Sequence, residues 1–407
     1  MSHMRARLSA MMFLQYAAPG LMQPIISHYL KNFLGFEPYQ TGLIMAMPAA
    51  AAIIAPLLTI YVADRYLSSE RLLGLCHTAA GLMLLVVSAQ TEFLPFLLAY
   101  TAWGLFFAPT FALSNAVVFH HVENPGRDFG PIRMWGPLSW VVAAWSFSYL
   151  WLDATAVAGT AGRLPHAFYF ASAASVGLGI YALSLPATPV ATTQRLSLNA
   201  WVQSLRMFAR PSLLVLVIAT FFNSAIHQFY YFGMGPFLSQ TGFADRNIMP
   251  AMSLGQVGEA VTLALLGLCV ARLGVKRTLI IGVLAQAGRC LAYATGWVPL
   301  VVAVIPSHGI CYAFFFTVGF IYVDRHSKRT ERAGAQQLYN MVIAGLGVLA
   351  GNVFAGQVAQ YASDPETGLI HFPTFWLTSA GIAIGIALML ALLFREEAPV
   401  AETPAAG

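Results

Sequence analysis

Few of the 407 residues in this chain carry groups that do chemistry, and those few sit inside long apolar runs. Glu259 stands deep in one run with Gln256 three residues before it, a spacing that puts both on one helix face. Arg289 stands equally deep in the next run, and Arg133 lies near the start of an earlier one. A further run is interrupted by Asn223, His227, Gln228, Tyr230 and Tyr231. Within it, Asn223, His227 and Tyr230 follow three–four spacing, and Gln228 and Tyr231 form a second stripe beside them. His308, Tyr312 and Phe316 recur at four-residue intervals in another run. Thr110, Ser114 and Asn115, the pair Gln15 and Gln23, and the tryptophans Trp135, Trp140, Trp145 and Trp151 add hydrogen-bonding and aromatic groups elsewhere. Amides and aromatics suit a neutral, planar, hydrogen-bonding ligand better than a highly charged one. An ionisable group in an apolar span costs ~2.5–3.5 kcal/mol, so Glu259 and Arg289 need a reason to be there. Each lies about eleven residues into its run, roughly 16 Å of helical rise, so the two share a depth. Either they form a structural ion pair, or Glu259 faces a cavity and binds substrate or a proton.

The elements that must hold these groups are membrane spans. Charged residues make up only 9% of the chain and mean hydropathy is +0.69, against about a quarter charged in a soluble domain. About 20 apolar residues in a helix cross a bilayer. Twelve such segments are expected, at 8–31, 40–62, 72–90, 94–119, 131–152, 166–186, 212–238, 248–271, 278–298, 300–322, 334–360 and 372–394. With the N-terminus in the cytoplasm, only Lys31, Arg163 and Arg246 of the Lys and Arg residues fall on the opposite side, and Arg289 lies within a span. The rest fall in cytoplasmic segments, among them Arg65, Arg71, Arg272, Lys276, Arg277 and Arg332. That bias predicts a multi-pass protein of the cytoplasmic (inner) membrane with both termini inside. The basic balance therefore reflects topology. Its scatter over many loops argues against a nucleic-acid surface. Cys76, Cys269, Cys290 and Cys311 fall in or at the ends of spans as small buried hydrophobes, so neither disulfide, metal nor cofactor is expected.

The chain divides at its longest polar interruption. Residues 1–186 form one expected six-helix bundle and 212–394 another, joined by a cytoplasmic linker at 187–211 and followed by a cytoplasmic tail at 395–407. Between its second and third spans the second half carries Gly267-Leu-Cys-Val-Ala271-Arg272-Leu-Gly274-Val-Lys276-Arg277. The first half carries a degenerate counterpart, Ala63-Asp64-Arg65, with Glu70-Arg71 after it. Loops at corresponding positions point to a duplicated unit. No catalytic pairing such as His-Glu-x-x-His or two intramembrane aspartates occurs, and the tails are too short for a signalling domain, so an enzyme or a receptor is not expected.

The Gly267–Arg277 loop resembles the G-x-x-x-D-R-x-G-x-K-R motif of the major facilitator superfamily, whose fold is all-α with twelve transmembrane helices in two pseudo-symmetric six-helix bundles. Within it, Asp128-Phe-Gly130-Pro-Ile-Arg133-Met-Trp135-Gly136 is similar to the span-five segment of the nucleoside:proton symporter family. Cys76-His77-Thr78, Pro109-Thr110 with Asn115, Ser253-x-x-Gln256-x-x-Glu259 and Arg332-Ala-x-Ala-Gln336 are similar too. The resemblance implies a secondary transporter that moves nucleosides by rocking its halves around a central site. By position, Arg133, Gln228, Gln256 and Glu259 match that family's substrate residues. Trp140 stands where the family has an aromatic and Tyr231 where it has a substrate-binding asparagine. Ala313 replaces a span-ten carboxylate implicated in function, which leaves Glu259 to couple protons, with His227 or His308 as a second titrating group, or leaves an uncoupled facilitator. His308 also resembles the branch containing phenylpropionate and sugar permeases, so a permease for a sugar, an aromatic acid or a drug is the alternative. The expected partners are a nucleoside-like small molecule, the proton and the lipid bilayer, with the chain acting as a monomer.

Overall fold

In hydrocarbon every backbone N–H and C=O must be satisfied within the protein, so apolar runs of this length fold as helices. The computed structural model of the protein describes residues 2–63, 67–152, 162–188, 205–328 and 331–398. Asp64-Arg65 and most of the expected 187–211 linker lie outside the described residues.

The described chain makes twelve long helical passages. They are α1 (Ser2–Met22), α2 (Pro38–Ala63), α3 (Ser69–Ser88), α4 (Phe93–His121), α5 (Pro125–Arg133 with Trp135–Leu150) and α6 (His166–Ala182), then α7 (Pro211–Gln240), α8 (245–273), α9 (275–294), α10 (Val298–His326), α11 (332–361) and α12 (Phe372–Leu393). Seven helices, with α8 and α9 taken as one, are long and apolar enough by length and composition to cross a membrane. Three of the other passages, α1, α5 and α6, fall short for local reasons. Arg5 and Arg7 lie inside α1, α5 breaks at Met134, and α6 is only 17 residues long. Large apolar side chains point outward, with Leu392 78% and Ile180 65% exposed, an arrangement that only a lipid surround makes favourable.

Contacts divide the chain into two compact units. Unit 1 comprises Met1–Thr193 and Tyr231–Ser253; unit 2 comprises Gln194–Tyr230 and Leu254–Gly407. In unit 1, α3 packs along α6 and α4, α1 along α5 and α6, and α2 along α4. Small residues permit the α3–α6 approach: a Cβ on Gly74 would stand 2.9 Å from the Gly179 carbonyl, and one on Gly81 would stand 2.6 Å from Val176. Tyr29, Phe96 and Phe168 centre one core cluster, and Met11, Leu73, Val117 and Leu178 centre another. Beside the second, Arg5 pairs with Asp128.

In unit 2 the core gathers Leu279, Val283, Phe315, Tyr322, Tyr339 and Leu390. Gly347 and Gly351 let α11 lie directly on α7 at Ser224 and Ala225. α8 and α9 would be one 50-residue helix but for Gly274, whose φ of 78° and ψ of 170° reverse the chain. That conformation is nearly confined to glycine. The turn is pinned by the end of α12 and the segment after it: Val275 N–H donates to Glu396 Oε1 at 2.8 Å and Lys276 Nζ to the Ala391 carbonyl at 2.7 Å. The Gly-x-Lys-Arg end of the loop motif is thus a structural hinge with a charged anchor. Replacing Gly274 with Val is expected to cost ~1–3 kcal/mol and lower the unfolding midpoint in detergent; an unchanged midpoint would contradict this account of the turn.

Candidate functional site

The polar residues singled out in the sequence fall into both units. Gln228, Gln256, Glu259, His227 and His308 belong to unit 2; Arg133, Trp140 and Tyr231 belong to unit 1.

In unit 2 the organising group is Arg289 on α9, only 2% exposed. Its Nη2 donates to Gln286 Oε1 at 2.5 Å, one helical turn earlier, and its Nη1 lies 2.5 Å from His308 Nδ1 on α10. The guanidinium also stacks over Tyr230 of α7, 4.8 Å from the ring centroid, and lies 5.8 Å from Tyr293. Arginine only donates, so His308 Nδ1 accepts; the imidazole is neutral, with its proton on Nε2. The His308 ring in turn lies 4.6 Å from His227 and 4.8 Å from Tyr230, and His227 meets Phe316 edge-on at 5.5 Å. The stripe containing 227 and 230 and the stripe at 308, 312 and 316 therefore meet, a contact that their spacing alone does not predict. For Arg289, the Nη groups are held by neutral partners, Gln286 and His308, which the matched depth of Glu259 and Arg289 did not foretell.

Glu259 and Gln256 are both half-buried on α8. Their helix touches α10 backbone to backbone. A Cβ on Gly309 would collide with Glu259 N and Gly258 C, one on Gly258 would collide with the Pro306 carbonyl, and Gly255 faces the His308 ring. Glycines on both helices thus set the position of Glu259 relative to His308. α10 departs from regular α geometry just after this contact, with wider π turns over 312–317. Ala313, where the resembling family carries a carboxylate, is fully buried there. On α7, Gln228 Oε1 accepts a hydrogen bond from Asn352 Nδ2 of α11 at 3.4 Å.

In unit 1, Arg133 ends the first segment of α5 and stacks on Tyr16 of α1, 4.3 Å from the ring centroid. Its Nη1 is buried and has no hydrogen-bond partner among the described residues. Gly136 makes room for both side chains: a Cβ there would stand 2.7 Å from Tyr16 and 2.8 Å from Arg133. Trp140 is 6% exposed, and its backbone abuts α1 at Gly20. Tyr231 is half-buried. Unit 1 also contains a network not foreseen from sequence. His77 Nε2 bonds Gln15 Oε1 at 2.8 Å, His77 Nδ1 bonds Ser175 Oγ at 2.9 Å, and Gln15 Nε2 donates to Thr110 Oγ1 at 2.8 Å. Gln15, Thr110 and the Cys76-His77-Thr78 segment were each visible as polar residues in spans. Nothing in their spacing joins four helices.

If Gly309 sets the α8–α10 approach at Glu259, Gly309→Ala overpacks that contact and is expected to destabilise the protein by ~1–3 kcal/mol. Gly381→Ala, whose added methyl meets open space, is the control and should leave the midpoint unchanged. Equal midpoints for the two variants would refute the role given to Gly309.

Comparison with known proteins follows the same lines. A family profile described as "Nucleoside H+ symporter" matches residues 1–399. The chain is 28% identical to the xanthosine permease of Escherichia coli (strain K12), over 96% of this chain and 95% of that protein. It is 25% identical to the nucleoside permease NupG of the same organism, over 97% and 96%. The crystal structure of the nucleoside transporter NupG covers 97% of this chain and 100% of its own with a TM-score of 0.85 at 23% identity, a likeness of fold. The twelve-helix major facilitator fold is borne out by that likeness, and the chain belongs to the nucleoside–proton symporter family of membrane transporters.

Proposed function

We propose that this protein carries nucleosides across the cytoplasmic membrane together with protons, by alternating access. The observation that carries the reading is the match to the nucleoside symporter family along 1–399, together with relatives that are a xanthosine permease and a nucleoside permease. The chemistry of the described side chains supports it. A nucleoside is neutral, offers a flat base for stacking, and presents ring and ribose groups that both donate and accept hydrogen bonds. Amide and carboxylate groups of Gln228, Gln256 and Glu259 on α7 and α8 of unit 2 are suited to those polar edges. Within unit 1, Arg133 offers a cationic donor and Trp140 and Tyr231 offer aromatic faces. A site that hydrogen-bonds a hydroxyl or ring N–H rejects analogues lacking it, because its own polar groups would be left unpaired.

Glu259 is the group assigned to the proton. It is the carboxylate deep in a span, and Ala313 offers no second one. His308 is a weaker candidate, since it accepts a hydrogen bond from Arg289 at Nδ1 and must break that bond to take a proton there. His227, stacked on His308, is the remaining titratable neighbour. In this reading residues 1–186 and 212–394 are the two six-helix bundles, the 187–211 linker, the 395–407 tail and both termini are cytoplasmic, and one copy of the chain suffices.

The test is uptake by purified protein in proteoliposomes. Radiolabelled uridine should exchange across the membrane, accumulate under an inward proton gradient, and be displaced by other nucleosides but not by maltose or phenylpropionate. Preference for a sugar or an aromatic acid would overturn the substrate assignment. Glu259→Gln keeps the shape and most hydrogen bonds but cannot titrate, so it should retain at least a third of exchange while losing gradient-driven accumulation entirely. Normal accumulation by this variant would move coupling to another group.

A further inference from the structure

α8 and α10 touch backbone to backbone at Gly258, Glu259 and Gly309. Beyond that contact, toward the Gly274 turn, they flank a crevice of about 330 Å³ within unit 2. Leu263, Leu266 and Val270 of α8 and Ile321 of α10 wall it. Gly267 and Ala271 give it depth, since a hydrogen and a methyl stand where larger side chains would fill the space. A Cβ on Gly267 would meet nothing within 4 Å. Arg325, one helical turn past Ile321, is the charged group in the lining. The volume is at the lower end for ligand pockets, ~300–1,000 Å³, and the walls are almost wholly carbon.

Depth decides what can occupy it. Glu259 lies near the middle of its span. At 1.5 Å of rise per residue, Leu263 is roughly 6 Å along the helix from Glu259, Val270 roughly 16 Å and Arg272 roughly 20 Å. On α10, Arg325 is roughly 24 Å along from Gly309. Half the hydrocarbon core is ~15 Å thick, and half the bilayer with its headgroups is ~20–22 Å. The crevice therefore lies at acyl-chain depth and the two arginines at headgroup depth. The α8 surface beside it is apolar and open, with Leu265 50% and Leu268 52% exposed, so the crevice gives onto hydrocarbon. Arg272 and Arg325 are both exposed, and neither has a hydrogen-bond or ion-pair partner among the described residues. Acidic groups at this end of the unit are committed elsewhere. Asp324 faces α11, with Oδ1 3.4 Å from Arg332 Nε and 3.4 Å from Gln336 Nε2, and Glu396 accepts from Val275 N–H.

We propose that this crevice binds one anionic phospholipid, with an acyl chain lying between α8 and α10 and the phosphate held by Arg325 and Arg272. Hydrocarbon is what the bilayer supplies at this depth, and a gap between helices forfeits the dispersion contacts that a chain restores. Chain packing alone does not discriminate, because lipid tails are as apolar as the leucines they replace. Selection comes from the head. Phosphatidylethanolamine carries an ammonium beside its phosphate and brings no net charge. Phosphatidylglycerol carries net negative charge to two arginines with no other partner among the described residues. A basic side chain near the membrane surface adds about fivefold to the affinity for an anionic lipid, so the pair gives about twentyfold. The site rests on the membrane fold; only its assignment to the inner leaflet rests on the orientation proposed above. It shares no residue with those assigned to the nucleoside or the proton.

The test titrates purified protein in detergent with phosphatidylglycerol or phosphatidylethanolamine of identical chains and reads the first bound lipid by native mass spectrometry. Phosphatidylglycerol should bind about twentyfold more tightly. Arg325→Gln and Arg272→Gln should each lower that ratio about fivefold, and the two together should bring it close to unity. Arg127→Gln removes an exposed charge from unit 1 and should leave the ratio unchanged. Gly267→Leu fills the crevice from a position with open space around it, touches neither arginine, and should weaken the first phosphatidylglycerol about tenfold. Location is read in the native chain, which needs no variant: phosphatidylglycerol with a photoreactive diazirine on one acyl chain should label peptides within 263–271 and 318–325. Equal affinity for the two lipids, a ratio unchanged by the double substitution, a ratio lowered as far by Arg127→Gln, or labelling confined to other helices overturns the site. Uridine exchange takes no part in these readouts, so the site and the transport reading stand or fall separately.

Discussion

The constraint on which this structure depends is that polar groups inside a bilayer must find their partners within the protein. Arg289 shows how far that reaches. Its guanidinium joins three helices through Gln286, His308 and Tyr230, and by donating to His308 it sets which nitrogen of that ring holds the proton. In unit 1, His77 plays the corresponding part, tying α3 to α1 and α6 through Gln15 and Ser175, with Thr110 of α4 reached through Gln15. Each network fixes the rotation of several helices about their axes, which apolar packing against lipid leaves nearly free.

Glycine sets the distances. The α3–α6 contact in unit 1 and the α8–α10 contact in unit 2 bring backbones closer than any side chain permits. The second lies at Glu259, so the carboxylate to which coupling is assigned in our proposal is held by main-chain contact. Precise placement of a half-buried carboxylate matters for a symporter, because the charge state must alter substrate affinity or helix packing by a defined amount as access alternates. The wider helical turns over 312–317 and the buried Ala313 follow directly on this contact.

Much of this was legible in the sequence, and the failures share one cause. Length and apolar character gave twelve helices, and three–four spacing marked the 223–230 stripe and the 308–316 stripe, whose meeting only the packing reveals. Gly274 was legible as a turn because its motif has a physical purpose. Depth, however, is a one-dimensional coordinate. Counting residues put Glu259 and Arg289 at the same level but said nothing about rotation, and the Arg289 amino groups turned out to face Gln286 and His308. The Gln15–His77–Ser175 network and the His28–Asp245 pair were missed for the same reason. Their members are 62 to 217 residues apart in the chain, and only packing brings them together. His28 and Asp245 also sit at span ends, where polar residues ordinarily meet water and attract no notice.

Proton movement itself tests the central claim most directly. Proteoliposomes loaded with a pH-sensitive dye, clamped at zero membrane potential with valinomycin and equal potassium, are given external uridine. Symport through Glu259 predicts that the lumen acidifies as uridine enters the native protein, and that it does not in Glu259→Gln although uridine still exchanges. Uridine entry into native vesicles with no acidification would contradict the account and leave an uncoupled facilitator.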